Sequence, residues 1–213
     1  MLKVLNLYAG IGGNRKLWTD VEVTAVEIDH KIAKAYQELF LLDTVIVGDA
    51  HEYLLKHYKE FDFIWASPPC PTHSDIRRCG VQRGLFKAKY PDMTLYQEII
   101  LLKHFAPKGT LWVVENVLPY YDFLIPPKQI LHRHAFWSNF NIYLKEIHDI
   151  RKHNNITGNE ILYGFNIKDK DIDEKRRVFR NMVNPDLGKY IMDCARGILD
   201  EESFKQLQLF NQT

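Results

Sequence analysis

Short apolar runs alternate with amphipathic stretches over the first half of the chain. Val4-Leu5-Asn6-Leu7 reads as a strand, residues 11–18 as a turn entering a helix, and residues 23–28 as a second strand. Residues 31–41 place Ile32, Ala33, Tyr36, Leu39 and Phe40 at helical spacing. Val45-Ile46-Val47 and residues 61–65 read as buried strands around a helical stretch at 52–58. A helix over 95–105 then leads to the strand Leu111-Trp112-Val113-Val114. Five strand-helix units in succession predict an α/β fold, a mostly parallel sheet with helices on both faces. Past Pro119 the pattern weakens. Pro126-Pro127 breaks the chain, His132, Arg133 and His134 precede an aromatic run Phe136-Trp137, and 154–159 reads as a loop. From Asp171 the chain is basic and then helical, with Ile191, Cys194, Ala195 and Ile198 at helical spacing, a segment expected to close one edge of the sheet.

Length and composition narrow the class. The 213 residues are 46% hydrophobic and 26% charged, enough for one domain with a real core. We expect a single unit over 1–213, with 1–119 as its core and 120–213 completing the sheet. No stretch of 18 residues lacks charge, and a strand begins at once, so neither a membrane span nor a signal peptide is expected, and the reading is cytoplasmic. Cys70, Cys79 and Cys194 show no metal-ligand spacing, so no disulfide framework and no metal are expected. With 28 Lys and Arg against 27 Asp and Glu, any nucleic-acid surface has to be a local patch.

Chemistry concentrates at predicted strand ends. Tyr8-Ala9-Gly10-Ile11-Gly12-Gly13 follows the first strand, where a doubly wound sheet places its ligand crevice. Glu27 ends the second strand, where a carboxylate can accept both hydroxyls of a ribose, and Asp49 follows the third, where it can accept from an adenine amino group. Together they describe an adenosine site; the plainer alternative is a tight turn followed by two helix caps. Arg15 stands where a third glycine would complete a pyrophosphate fingerprint, and no Lys-Ser or Lys-Thr pair follows, so a cofactor without phosphate such as S-adenosylmethionine fits better. Ser67-Pro68-Pro69-Cys70-Pro71 follows the fourth strand, where the prolines stiffen the turn that carries the thiol. A thiol of ordinary pKa, about 8.5, needs a nearby cation to be a good nucleophile, and Arg77 and Arg78 are candidates. Glu115-Asn116-Val117 follows the fifth strand, and paired with Cys70 it suggests a nucleophile with an acid.

These residues resemble the cytosine C5 DNA methyltransferases. Asn6 to Gly13 is similar to that family's first cofactor motif, Glu27-Ile28-Asp29 to its second and Gly48-Asp49-Ala50 to its third. Ser67-Pro68-Pro69-Cys70 is similar to its catalytic Pro-Cys motif, Glu115-Asn116-Val117 to its Glu-Asn-Val, and Thr94-Leu95-Tyr96 to a weaker cofactor motif. Lys175-Arg176-Arg177-Val178-Phe179 resembles the late motif whose last arginine faces the target base, with Asp173 and Lys175 departing from the family's glutamine and arginine. The resemblance implies a Rossmann-like methyltransferase sheet and methyl transfer from S-adenosylmethionine to C5 of cytosine in DNA, through a Cys70 adduct at C6 of a flipped base, leaving S-adenosylhomocysteine. It implies catalytic Cys70, Glu115 and Arg177; cofactor contacts from Tyr8, Ala9, Gly10, Gly12, Gly13, Glu27, Ile28, Asp49, Ala50, Pro69 and Leu95; and substrate contacts from Asn116, Lys175, Arg77, Arg78 and Arg83. Arg133-His134 before Phe136-Trp137-Ser138 makes it similar to short bacteriophage enzymes, for which protection of a viral genome is one use.

Two departures stand out. Only 36 residues follow Arg177, too few for the family's large target-recognition domain, and the final Gly-Asn-rich cofactor motif has no clear counterpart. DNA contact then falls to the loop after Cys70, read as a lid with Arg77, Arg78, Arg83, Lys87 and Lys89, and to Arg176, Arg177 and Arg180, with a second copy or a partner protein as a further source of recognition. The alternatives are the same chemistry on transfer RNA, a catalytically silent DNA- or partner-binding relative, and a nicotinamide enzyme, which would leave Cys70 without a role.

Overall fold

The computed structural model describes residues 1–145 and 155–198. Its centre is a seven-stranded sheet: β1 (Leu2–Leu7), β2 (Val21–Glu27), β3 (Thr44–Val47), β4 (Phe63–Ala66), β5 (Leu111–Val117), β6 (Gln129–Leu131) and β7 (His134–Ser138), in the order β3-β2-β1-β4-β5-β7-β6. The first five run parallel, and β7 pairs antiparallel with both β5 and β6. β4 and the last four residues of β1 are buried on both sides because both faces are covered. This is a Rossmann-like doubly wound α/β sheet, and the order reverses between β1 and β4, opening a crevice beyond their carboxyl ends.

On one face, α2 (Ala50–His57) and α4 (Thr94–Phe105) lay Leu54, Leu95, Ile99 and Leu102 on Leu5, Leu7, Ile64 and Val114. On the other lie α1 (His30–Leu39), whose buried Tyr36 meets Ala9 and Ala25, and α7 (Pro185–Ala195). Helix starts follow sequence chemistry: Asp29 caps α1 by accepting from the amides of Lys31 and Ile32, and Asn184 caps α7 ahead of Pro185. α3 (Asp75–Gln82) follows the Cys70 loop, capped by Ser74; α5 (Ile156–Tyr163) and α6 (Lys175–Asn181) pack outside α1 through Tyr163, Val178, Phe179 and Met182.

Three expectations are corrected. Residues 11–18 are turns rather than a helix, because Gly12 and Gly13 are in close contact with other parts of the chain and Arg15 turns inward to a buried ion pair with Asp43 (2.8 Å). The face of β1 that such a helix would cover is filled by Trp18 and by α7, whose Leu187, Tyr190 and Ile191 pack on Val4, Phe63 and Trp65. The last helix therefore covers a face and closes no edge; it stops at Ala195, and Gly197 with φ +70° leaves Ile198 exposed. The stretch read as a loop at 154–159 is helical from Ile156, with Asn155 as its cap, and Asn154 lies outside the described residues.

Candidate active site

Strand pairing ties the loop that carries Cys70 to Glu115 and its neighbour. Ala66 of β4 is registered with Val114 of β5, so Ser67 and Glu115 lie side by side. Ser67 leaves the sheet, while Glu115, expected to follow the fifth strand, stays within β5, which runs on to Val117 against β7. The Ser67 hydroxyl donates to Glu115 Oε2 at 2.7 Å and itself accepts from the Trp65 indole at 2.8 Å. Asn116 donates its amide to the Pro68 carbonyl at 2.9 Å, so the residue beside the acid holds the loop that carries the thiol. Past Cys70, the amides of His73 and Ser74 return to the Cys70 carbonyl, and Ser74 bridges to Pro119. The Cys70 loop is thus tied on both sides to β5 and its extension. Cys70 is half-buried, Cys79 lies on α3 and Cys194 is buried in the core.

The second oxygen of Glu115 has a partner that the sequence reading did not single out. His134 Nδ1 lies 2.6 Å from Oε1, and both side chains are largely buried. Their strands are antiparallel and meet only through a reversal past Pro126-Pro127, so no local spacing announces the contact. Arg177, by contrast, is not brought to Glu115: it sits on α6, more than half exposed, paired with Glu174 at 3.1 Å. Lys175 on the same helix is bonded to the Lys168 carbonyl.

The cofactor candidates gather at the ends of β1, β2 and β3. Glu27 accepts from the Gly10 amide at 2.9 Å and the Asp29 amide at 3.0 Å, shaping the first loop from below; burial raises its pKa against those two bonds. Asp49 is exposed and caps α2 through the Glu52 amide, so here the cap reading and the site reading coexist. Gly10, at φ +56°, and Gly48 have open space where a side chain would be, while Ile28 is 70% exposed beside them and Ala50 is buried. Pro69 is exposed, whereas Ala9 and Leu95 are buried and Leu95 packs in the core. An open glycine floor, an exposed apolar side chain and a carboxylate at the second strand end fit an adenosine-bearing cofactor such as S-adenosylmethionine.

Gly12 and Gly13 serve packing. A Cβ on Gly12 would lie 2.4 Å from the Phe40 ring, and one on Gly13 2.1 Å from Met182 and 2.4 Å from the Val183 carbonyl. Gly188 of α7 likewise sits against Asn14, with 2.3 Å between its absent Cβ and the Asn14 carbonyl. Residues 182–188 therefore back the first loop, at the place where the sequence offered no counterpart of a final cofactor motif.

Beneath Tyr8 is a buried acid. The Tyr8 hydroxyl donates to Glu98 Oε1 at 2.5 Å and His51 Nδ1 lies 3.2 Å from the same atom; Glu98 is fully buried, and Oε2 has no partner among the described residues. Burial raises the pKa of Glu98 and of Tyr8, and the carboxylate raises that of His51. Glu98 stands between Leu95 and Leu102 on the buried face of α4, at i, i+3, i+4, i+7 spacing with Ile99, a signal for a buried acid that the sequence carries.

Of the basic substrate candidates, Arg77 is turned inward, donating to the Lys87 carbonyl at 3.0 Å and lying over the Phe86 ring. Arg78 pairs with Asp75 at 2.8 Å with half its side chain exposed, and Arg83 is exposed. Among the described residues no helix is long and apolar enough to cross a membrane, and no three metal-ligating side chains gather.

Among solved structures the chain is similar over part of its length to the Escherichia coli protein yhhF (16% identity, 64% of this chain and 74% of that one, TM-score 0.43). It is also similar to a mutant of DNMT2 from Spodoptera frugiperda (24%, 55% and 36%, TM-score 0.38) and to TrmN from Thermus thermophilus (19%, 54% and 33%, TM-score 0.36). It thus spans about a third of the length of these last two. No curated protein matches. The family model for C-5 cytosine-specific DNA methylase matches residues 2–119, a segment that begins with β1 and ends just past the Glu115 strand. That match takes in more than half of the chain and every strand end that builds the crevice, and the chain belongs to the C-5 cytosine-specific DNA methylase family.

Proposed function

We propose that the chain transfers a methyl group from S-adenosylmethionine to C5 of cytosine in DNA through a covalent Cys70 adduct. The observation that carries this reading is the bracing of the Cys70 loop and Glu115 by one network, Trp65–Ser67–Glu115–His134 with Asn116 on Pro68. A nucleophile on a loop after one strand, with an acid held on the neighbouring strand, serves addition across a ring double bond.

In this mechanism the Cys70 thiolate adds to C6 of a cytosine taken out of its stack, while Glu115 hydrogen-bonds N3 and the exocyclic amine and stabilises the protonated ring. Electron density moves to C5, which becomes the carbon nucleophile. The cofactor, when bound, supplies an electrophilic methyl on sulfonium sulfur. Loss of the C5 proton to a base and departure of the Cys70 sulfur restore the aromatic ring. Ser67 and His134 hold the two oxygens of Glu115 so that the carboxyl faces the ring in one orientation, which makes them positioning residues. Tyr8, Gly10, Glu27, Ile28 and Asp49 would hold the adenosine.

The test is base-resolution bisulfite sequencing of DNA from a methylation-free bacterial host expressing the chain, with Cys70→Ala as control. Cysteine-dependent protection supports the reading, and a stable adduct with a duplex containing 5-fluorocytosine tests the covalent step, since fluorine cannot leave C5 as the proton does. Folded, cofactor-binding protein that methylates transfer RNA and spares DNA would overturn DNA as the substrate.

A further inference from the structure

One buried carboxyl sits beneath two loops of the candidate cofactor crevice. Tyr8 leaves β1 with φ +57°, a left-handed conformation that a residue with a side chain seldom adopts. The next amide, of Ala9, donates to the Val26 carbonyl of β2, and the Tyr8 side chain packs on the face covered by α2 and α4. There its hydroxyl donates to Glu98 Oε1, the oxygen that His51 Nδ1, in the first turn of α2, also approaches. The His51 side chain is 26% exposed and that of Glu98 not at all.

A carboxyl at this place is costly. Glu98 stands among Leu95, Ile99 and Leu102, which pack in the core, and Oε2 has no partner among the described residues, so burial is compensated on one oxygen only. An apolar side chain would fill the position without that cost, and local choices that oppose the fold concentrate at functional positions. Chain order shows what the acid controls. Tyr8 directly precedes Ala9-Gly10, the open floor of the first loop, and His51 lies two residues past Asp49, the exposed cap of α2. In the sheet order β3-β2-β1 these two loops flank the end of β2, where Glu27 stands. Glu98 therefore ties both neighbours of the Glu27 loop to α4.

We propose that Glu98 is a positioning residue for S-adenosylmethionine: through Tyr8 it fixes the first loop, and through His51 the Asp49 loop, in the arrangement that receives the adenosine. Being buried beneath Tyr8, it acts through these two side chains rather than on the cofactor. A preformed floor lowers the ordering cost that binding otherwise meets, and a left-handed residue stays in place only where its surroundings hold it. The proposal deepens the methyltransferase reading and rests on it for the identity of the cofactor.

The test uses the full chain and three variants: Glu98→Met, which removes both acceptor oxygens at similar length; Glu98→Gln, which keeps one acceptor for Tyr8; and Glu98→Met with Tyr8→Phe, which removes acceptor and donor together. Calorimetric affinity for S-adenosylhomocysteine is paired with the thermal midpoint of the unliganded chain. Glu98→Met is expected to weaken binding about tenfold, and Glu98→Gln to recover part of the loss. The double variant leaves no donor unsatisfied, so its midpoint should be at least that of Glu98→Met, while its binding stays weak. In methylation assays the half-saturating S-adenosylmethionine concentration should rise with Glu98→Met by the same factor, with the rate at saturation held within about twofold. Affinity unchanged in Glu98→Met, or restored in the double variant along with the midpoint, makes Glu98 a packing residue and overturns the proposal alone. Glu98-dependent cofactor binding without cysteine-dependent methylation overturns the enzymatic reading alone. A folded parent chain that binds no S-adenosylhomocysteine overturns both.

Discussion

His134 Nδ1 stands 2.6 Å from Glu115 Oε1, although the registered partner of Glu115 on β7 is Phe136. The two are diagonal neighbours on one face of an antiparallel pair, a distance that long side chains can close. With Ser67 on the other oxygen, the carboxyl has one orientation before any base arrives. His134→Gln is expected to lower the methylation rate constant about 10–100-fold, within the range for loss of a supporting hydrogen bond or proton partner. A structural role alone would lower the thermal midpoint and cofactor affinity along with the rate. A role through Glu115 lowers the single-turnover rate and adduct formation with both of those unchanged, and restoring a donor at the place of Nδ1 with His134→Asn should recover part of the rate.

Asn116→Ala should act on the thiol loop. It removes the donor to the Pro68 carbonyl, leaving a buried acceptor unsatisfied at a cost of about 1–3 kcal/mol. Global stability measured by urea unfolding should fall by that amount, while formation of the adduct with a 5-fluorocytosine duplex slows more than cofactor binding weakens. Equal loss of both would count against loop positioning.

The glycines divide by what surrounds them. Gly188→Ala drives a methyl group into the Asn14 backbone, and Gly12→Ala meets Phe40 at a position with φ +79°. Each is expected to destabilise by about 1–3 kcal/mol or more. Gly48→Ala meets nothing and should stay within about 0.5 kcal/mol of the parent while weakening cofactor binding. Thermal midpoints paired with calorimetric cofactor affinities separate the classes.

Glu98 and His51 predict the sign of a pH dependence. Both hold their protons more tightly in the folded chain than in the unfolded one, Glu98 by burial and His51 by its bond to Glu98. The folded state therefore binds more protons, and stability falls as pH rises through their titration, from the carboxyl range into the imidazole range. The part owed to these two groups is fully present below their unfolded pKa values and is lost above the folded ones. Urea midpoints between pH 5 and 8.5, a window of roughly these groups' titration, should fall with pH, and His51→Gln should flatten the upper part of the slope. A slope unchanged in the variant would overturn the assignment.

What the sequence made legible is what local spacing and burial control. The five parallel strands are short apolar runs, and the Cys70 loop follows one of them beside Glu115 on the next, although β5 continues through Glu115 to Val117 where the sequence suggested that the strand had ended. Asp49 announces a helix start through its capping chemistry, whereas the cap of α1 is Asp29 and not Glu27, whose carboxylate is taken up by the Gly10 and Asp29 amides. The illegible parts depend on contacts between distant segments. His134 reaches Glu115 only once β7 reverses against β5, and Glu98 matters only because Tyr8, on another element, comes down onto it. The missing first helix follows the same rule, since Gly12, Gly13 and Arg15 are shaped by Phe40, Met182 and Asp43.

The docking of α7 on the first loop joins positions far apart in the chain: the Trp18 indole donates to the Gly188 carbonyl, 170 residues away. A ribosome releases the loop at residues 8–14 long before the segment that backs it. Such separated contacts close late in folding. On the proposed mechanism, a nascent or truncated chain that stops short of α7 would present the Cys70 loop with an unbacked cofactor floor, so cofactor capture is expected only once the chain has been made through α7.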